Sequence, residues 1–178
     1  FRMESSDQND KALPRAAQVA SAIGIIYVVL TFVWASAYWL AGMSGFDSIA
    51  HAMTTIATGG FSTSDKSLGM YQSPLINAIA TLGMLVGALP FLLYLKTIQG
   101  EWCSLIKDSQ VQCFFAATGL SILLAAGWLW LDAGRTLFDS LQHASFNIVS
   151  IITGTGYATE DYTQWGSFST PLFFFIMF

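Results

Sequence analysis

The sequence predicts an all-α membrane protein that crosses the bilayer several times. Of its 178 residues, 54% are hydrophobic and only 10% are charged, whereas soluble domains carry about a quarter charged residues. Three stretches, residues 16–46, 67–95 and 109–131, contain no charged side chain. Each is long enough to cross a lipid bilayer as a helix, which takes about 20 apolar residues. The net charge of −4 is modest and indicates no nucleic-acid partner.

The membrane spans are predicted, in chain order, over residues 19–40, 74–95, 111–131 and, as the start of a fourth span, 171–178. Residues 1–18 and 100–110 are polar and are predicted as cytoplasmic loops. Pro90 is expected to kink the last turns of the second span, because proline breaks the helical hydrogen-bond pattern. Gly83 and Gly87 in the same span form a small-xxx-small pair that allows close helix packing.

The positive charges predict the orientation of these spans. If the first loop is cytoplasmic, five of the seven Lys and Arg residues lie on the cytoplasmic side and only Lys66 and Arg135 lie outside, which fits the positive-inside rule. The chain begins with Phe1 and ends within an apolar run, so we expect an internal piece of a longer protein.

Two short segments between the spans begin with the same motif, Phe-Asp-Ser-x-x-His, at Phe46 and at Phe138, 92 residues apart. They are predicted as short helices over residues 47–57 and 139–152. A helix of ten residues is about 15 Å long, half the thickness of the hydrocarbon core. Such helices must enter the membrane and return on the same side. Asp47 is expected to cap the first of them by accepting hydrogen bonds from its free amides.

Each short helix leads into a polar, glycine-rich loop. We call residues 58–63 the first glycine loop and residues 153–159 the second glycine loop. Both contain a glycine followed by an aromatic residue, and these pairs begin at Gly60 and Gly156, 96 residues apart. Glycine breaks the helix and permits a backbone twist that other residues resist.

The same landmarks occur twice in the same order. After each glycine loop comes a hydroxyl residue followed by proline, at Ser73 and at Thr170, 97 residues apart. We therefore predict two copies of one unit (span, short helix, loop, span) over residues 19–99 and 111–178, with the second copy cut short.

This arrangement predicts an ion filter. A potassium ion crosses a membrane only if other oxygens replace its water shell, and backbone carbonyls on such loops do so. The carbonyl end of an inward-pointing short helix also carries a partial negative charge that stabilises a cation. In this interpretation Gly60 and Gly156 lie at the filter, and the side chains of Phe61 and Tyr157 point away and brace the loops.

Acidic residues follow both loops. Asp65, Glu160 and Asp161 are expected to raise the local concentration of cations at the outer mouth.

The two glycine loops, each behind a Phe-Asp-Ser-x-x-His motif, resemble the Trk/Ktr/HKT superfamily of potassium transporters, and within it the bacterial TrkH subunits. The resemblance covers essentially the whole chain. It implies that the selectivity glycines are Gly60 and Gly156. It also implies that flanking residues of both loops complete the filter and that backbone carbonyls are the main potassium ligands. Flanking residues with an implied potassium contact are Thr58, Gly59, Thr155 and Tyr157. Phe61 and Gly154 also belong to the filter, without an assigned potassium contact.

The resemblance also implies a potassium-conducting pore built from four unequal repeats on one chain, in the bacterial inner membrane, with no organic cofactor. This chain is similar to the second repeat and most of the third, and the gate of the third would lie beyond Phe178. The implied partners are the remaining repeats, a second copy in a homodimer, and a cytoplasmic nucleotide-binding subunit of the TrkA type. Ser62 and Ala158 stand where the potassium-channel pattern Thr-Val-Gly-Tyr-Gly has its second glycine. This departure leaves the degree of selectivity over sodium open.

Two other interpretations stay open from the residues. Gly-Met-Ser-Gly at residues 42–45 matches the Gly-x-Ser-Gly pattern of intramembrane serine proteases, with Ser44 as the nucleophile. A structural membrane subunit that conducts no ions would also have these spans. The filter interpretation predicts no enzymatic activity, since transport makes and breaks no covalent bond.

Overall fold

The computed structural model describes the backbone of residues 5–132 and 134–177, and the side chains of residues 16–131 and 134–177. Within these residues the chain consists of helices and loops and contains no strand, which confirms the predicted all-α class. The α-helices are α1 Ser5–Leu40, α2 Gly45–Ile56, α3 Pro74–Ala88, α4 Phe91–Ile98, α5 Ser104–Lys107, α6 Ser109–Asp132, α7 Leu137–Ile152 and α8 Ser169–Ile176. Short 3₁₀ helices cover Ser67–Met70 and Tyr162–Gln164.

Helices α1 and α6 are long and apolar enough to cross a membrane, over Ala16–Leu40 with 25 residues and Ser109–Leu131 with 23 residues. Side chains such as Phe32, which is 74% exposed, give α1 an apolar surface that suits contact with lipid. The prediction of a loop over residues 1–18 is wrong for residues 5–18, which are helical and continue into the span. Seven of these 14 residues are Ala, Gln, Lys or Arg, which favour helices. Residues 1–4 of that predicted loop lie outside the described residues.

The predicted second span is two helices, because α3 and α4 meet at an angle of 85°. Pro90 causes the break: it has no amide hydrogen to donate, and it forces Leu89 into an extended conformation with ψ 147°. Tyr94 Oη donates a 2.7 Å hydrogen bond to the carbonyl of Val86, which receives no bond from Pro90 four residues later and accepts a 3.3 Å bond from the Leu89 amide. The expected kink is therefore a sharp turn, and the predicted loop over residues 100–110 contains α5 and the start of α6.

The two short helices hold equivalent positions in the fold. Helix α2 packs against α1 and α3, and α7 packs against α6 and α8 and also against α3. With 12 and 16 residues, they are about 18 Å and 24 Å long. Both lengths fall short of the roughly 30 Å hydrocarbon thickness.

Gly83 and Gly87 bring α3 against the carboxyl-terminal end of α2. A Cβ atom on Gly83 would lie 2.3 Å from Trp34 Nε1 and 2.6 Å from the Thr55 methyl, and one on Gly87 would lie 2.6 Å from the carbonyl oxygen of Ile56. The predicted role of this glycine pair in close helix packing is confirmed. It holds the end of α2, where the first glycine loop begins, in a fixed position.

Candidate functional site: two glycine loops in contact

The glycine loops begin where the short helices end. Helix α2 ends at Ile56 and α7 at Ile152, so the carbonyl end of each helix faces the start of one loop. In addition, the Gly60 amide donates to the carbonyl of Thr54 over 3.4 Å, and the equivalent Gly156 amide donates to the carbonyl of Ser150 over 3.1 Å. The loops therefore fold back over the last turns of their helices.

The two loops share an unusual backbone conformation. Positive φ angles occur at Thr58 (48°) and Gly60 (68°), and at the equivalent positions Gly154 (72°) and Gly156 (86°). A residue between each pair has an ordinary φ. Positive φ values are uncommon for residues with a Cβ atom, and three of these four positions are glycine.

The loops touch each other at Gly60. A Cβ atom on Gly60 would lie only 1.8 Å from the carbonyl oxygen of Thr155, so no side chain fits there. By contrast, a Cβ on Gly156 would have no described atom within 4 Å. The first loop thus packs backbone against backbone on the second, at the glycine that precedes its aromatic residue.

The two aromatic residues behave differently. Tyr157 is 1% exposed, and its hydroxyl lies within hydrogen-bond distance of Thr54 Oγ1, of Thr55 Oγ1 at 3.4 Å and of the His51 carbonyl at 3.3 Å. It therefore braces the second loop against α2, as predicted. Phe61 is 78% exposed, so the prediction that it braces its loop is wrong within the described part of the chain. Its ring has no neighbouring helix there to pack against.

The carbonyls of the aromatic residues are engaged by the short helices. Thr54 Oγ1 donates a 2.8 Å hydrogen bond to the Phe61 carbonyl, and Ser150 Oγ donates a 2.6 Å bond to the Tyr157 carbonyl. Sequence reasoning missed Thr54 and Ser150. Their signal is a hydroxyl residue at the same place in both copies, 96 residues apart.

Four other loop carbonyls are free of such bonds. Among the described residues, no hydrogen bond is accepted by the carbonyls of Gly59, Gly60, Thr155 and Gly156. Buried or crowded carbonyls normally have partners. Unpaired carbonyls in a strained, glycine-rich backbone are therefore available to a cation.

The Phe-Asp-Ser-x-x-His motif ties each loop to its short helix. His51 Nε2 lies 3.0 Å from Ser62 Oγ, and Asp47 Oδ1 accepts a 2.7 Å hydrogen bond from Thr63 Oγ1. In the second copy, His143 Nδ1 lies 3.4 Å from Thr159 Oγ1. The repeated motif thus anchors the end of each glycine loop.

The expected capping role of Asp47 is wrong, because Ser44 is the capping residue of α2. Ser44 Oγ accepts from the Asp47 amide at 3.1 Å and donates to Asp47 Oδ2 at 2.8 Å. Thr136 caps α7 in the same way through the Asp139 amide. Ser44 therefore has a structural partner and is not bonded to a histidine, which removes the geometric basis for a protease.

The contacts of Asp47 predict a pH-dependent stability. Hydrogen bonds from Thr63 and then Ser44 hold the pKa of this carboxyl group below its ordinary value. A lowered pKa in the folded state stabilises the fold at pH values above the unfolded-state pKa of about 3.9, and the stabilisation is lost as pH falls through the lowered value. We expect Asp47→Asn to lower the unfolding temperature of the detergent-solubilised full-length protein at pH 7 and to have a shrinking effect below about pH 4. An effect of equal size at pH 7 and pH 3 would show that the carboxylate charge is not involved.

Of the two acidic residues after the second glycine loop, one is paired with a positive charge and the other is exposed. Glu160 forms an ion pair with Arg135 at 2.8 Å and accepts a 2.7 Å hydrogen bond from Trp165 Nε1. Arg135 offsets the charge of Glu160, so the expected rise in local cation concentration stays a prediction for Asp65 and Asp161. Asp161 remains exposed, and hydrogen bonds from Thr163 and Gln164 lower its pKa, which keeps it ionised.

Comparison with known proteins identifies the family. The family model TrkH, described as a cation transport protein, matches residues 2–178. The chain belongs to the TrkH family. Members of this family are transport proteins, which agrees with the prediction that the chain is not an enzyme. Because the chain also contains membrane-spanning helices, it is part of a multi-pass protein of the bacterial inner membrane.

Several TrkH-family relatives align along most of the chain. The Trk system potassium uptake protein TrkI of Halomonas elongata is 43% identical, over 100% of this chain and 36% of its own length. The Trk system potassium uptake protein TrkH of Escherichia coli is 32% identical, over 93% of this chain and 34% of its own. The crystal structure of the potassium transporter TrkH from Vibrio parahaemolyticus matches with a TM-score of 0.87 and 35% identity, over 92% of this chain and 36% of that one. The chain thus spans about a third of the length of these relatives.

Proposed function

We propose that the chain forms part of a potassium uptake pathway, in which the two glycine loops line the ion-selective segment. The observation that carries the proposal is the direct backbone contact between the loops at Gly60 and the Thr155 carbonyl. It brings two rows of unpaired carbonyls together at the carbonyl ends of α2 and α7. The names of the relatives, which are potassium uptake proteins, support potassium as the transported ion.

The ion-contacting groups in this proposal are main-chain carbonyls. They belong to residues of both loops whose carbonyls accept no hydrogen bond within the described chain: Thr58, Gly59, Gly60, Gly154, Thr155 and Gly156. This set differs from the one predicted from the sequence in that Gly154 replaces Tyr157, because the Tyr157 carbonyl already accepts a hydrogen bond from Ser150. The Phe61 carbonyl likewise accepts one from Thr54, so Phe61 and Tyr157 serve to orient the loops. Carbonyl dipoles in such a ring replace the hydration shell of the ion.

The proposed organisation is two span–pore–span repeats, residues 19–99 and 111–178, with α2 and α7 as pore helices and residues 58–63 and 153–159 as filter segments. Two repeats do not close a ring around an ion, so other repeats of the full-length protein complete it. By resemblance to the superfamily, we further propose a homodimer that binds a cytoplasmic nucleotide-binding ring of the TrkA type. Co-purification of the full-length protein with such a subunit, and its mass in detergent, test these two partners.

The test of the function is rubidium uptake by the full-length protein in cells that lack their own potassium uptake. We expect wild-type uptake to be inhibited by potassium far better than by sodium. Gly156→Ser should weaken this preference, because a φ of 86° is strained for serine and the loop must change conformation. A wild-type protein that is folded in the membrane but takes up no rubidium would favour a structural subunit. Unchanged ion preference in Gly156→Ser would contradict the filter assignment.

A further inference from the structure

The hydrogen bonds from Thr54 to the Phe61 carbonyl and from Ser150 to the Tyr157 carbonyl are equivalent in the two copies. Donor and acceptor are seven residues apart in both, and the distances are 2.8 Å and 2.6 Å. Each donor lies in the last two turns of a short helix, and each acceptor is the residue after the filter glycine. Two independent stretches of sequence therefore build the same contact.

Ser150 makes this contact instead of the usual one. A serine inside a helix commonly donates to the carbonyl four residues earlier, but among the described residues Ser150 Oγ bonds only to the Tyr157 carbonyl. Ser150 is fully buried, so its hydroxyl has no exposed alternative. The helix thus directs a buried donor at one peptide group of the second glycine loop.

Thr54 additionally joins the two loops. A hydroxyl group has a single proton to donate, so when Thr54 donates to the Phe61 carbonyl, the Tyr157 hydroxyl is the donor to Thr54 Oγ1. The result is a chain of hydrogen bonds from the side chain of the second loop, through α2, to the backbone of the first. Tyr38 of α1 extends it, since its hydroxyl lies 2.9 Å from Thr55 Oγ1, which is itself 3.4 Å from the Tyr157 hydroxyl.

We infer that Thr54 and Ser150 are specificity-determining positioning residues, which hold the peptide group after each filter glycine against the pore helix. A peptide held in this way cannot rotate its carbonyl towards the ion, so the number and spacing of ion-contacting carbonyls are set by these two hydroxyls. Neither residue contacts the ion. The inference rests on the proposed filter function of the two loops.

The test measures rubidium uptake by the full-length protein, with sodium as the competing ion, in cells that lack their own potassium uptake. Ser150→Ala and Thr54→Val remove a hydroxyl and little else. We expect each to lower the preference for rubidium over sodium about fivefold, the factor for losing one ordinary hydrogen bond. Thr54→Ser keeps the hydroxyl and should keep most of the preference. Ser145→Ala is the matched control for Ser150→Ala, because Ser145 lies in the same helix and its side chain bonds, among the described residues, only to the Gln142 carbonyl.

The ratio of the two ions is the decisive readout, since a merely structural defect lowers uptake of both ions together. If Ser150→Ala and Thr54→Val keep the wild-type ratio while Gly156→Ser lowers it, the positioning role is wrong and the filter assignment stands. If Gly156→Ser also keeps the ratio, the proposed function itself fails. Should Ser150→Ala not reach the membrane, Thr54→Val decides the matter alone, because Thr54 is only partly buried.

Discussion

Gly60→Ala in the full-length protein is expected to reduce the preference for potassium over sodium by at least about tenfold, a factor that corresponds to about 1.4 kcal/mol. Two effects act together. The φ of 68° is unfavourable for a residue with a Cβ atom, by roughly 1–2 kcal/mol. The new Cβ would also lie 1.8 Å from the Thr155 carbonyl oxygen. That oxygen belongs to the backbone of the second glycine loop, so the clash is relieved only by moving a proposed ion-contacting carbonyl.

The measurement is rubidium uptake in competition with potassium and with sodium. Two further glycine-to-alanine substitutions provide a comparison for the size of the loss of ion preference. Gly156→Ala adds only the strain of its positive φ, because no described atom lies within 4 Å of the added Cβ, and should have a smaller effect. Gly59→Ala should have the smallest, because Gly59 has an ordinary φ and its added Cβ meets the nearest atom, Phe61 Cδ2, at 3.6 Å. A Gly60→Ala protein with wild-type preference would show that the contact between the loops is absent in the transporter.

The second large effect is expected for Gly83→Ala, which should destabilise the full-length protein by about 1–3 kcal/mol, the usual cost of overpacking a close contact. The added Cβ would lie 2.3 Å from Trp34 Nε1 and 2.6 Å from the Thr55 methyl. Trp34 cannot yield easily, because its indole donates a 2.9 Å hydrogen bond to the Ile79 carbonyl. Helix α3 must therefore move away from α2, close to the residues that hold the first glycine loop.

Thermal unfolding of the purified protein in detergent measures this effect. Gly119→Ala is the matched control, since Gly119 also lies inside a helix but, apart from its own helix backbone, no described atom lies within 4 Å of an added Cβ. That change should be neutral or slightly stabilising, because alanine favours helix over glycine by about 1 kcal/mol. Equal unfolding temperatures for the two variants would contradict the close packing of α3 on α2.

Patterns that depend on neighbouring residues were predictable. The uncharged stretches predicted α1 and α6, and the ends of α2 and α7 lie within two residues of the predicted ones. The Gly-aromatic pairs, 96 residues apart, predicted two loops of the same construction, and positive φ angles occur at matching positions in both. Local hydrophobicity and glycine placement act over a few residues and are therefore visible in the chain itself.

Other features depend on residues that are distant in the chain. The sequence predicted a kink at Pro90, but the 85° angle depends on how α4 packs against its neighbours. It placed Glu160 among free acidic residues, but folding brings Arg135, 25 residues earlier, into contact with it. It assigned bracing roles to both aromatic residues, but only Tyr157 has a neighbouring helix within the described chain.

Hydropathy, helix length and glycine conformation are properties of short segments, and they suffice to establish an all-α membrane protein with two similar glycine loops. Which loop carbonyls remain without a hydrogen bond follows instead from the packing of distant segments. The hydroxyls of Thr54 and Ser150 engage two carbonyls, and the Tyr157 side chain crosses to a helix that is about 100 residues away in the chain. The physical reason is that hydrogen bonds are short-ranged and directional, so their partners are defined only once distant segments have packed together.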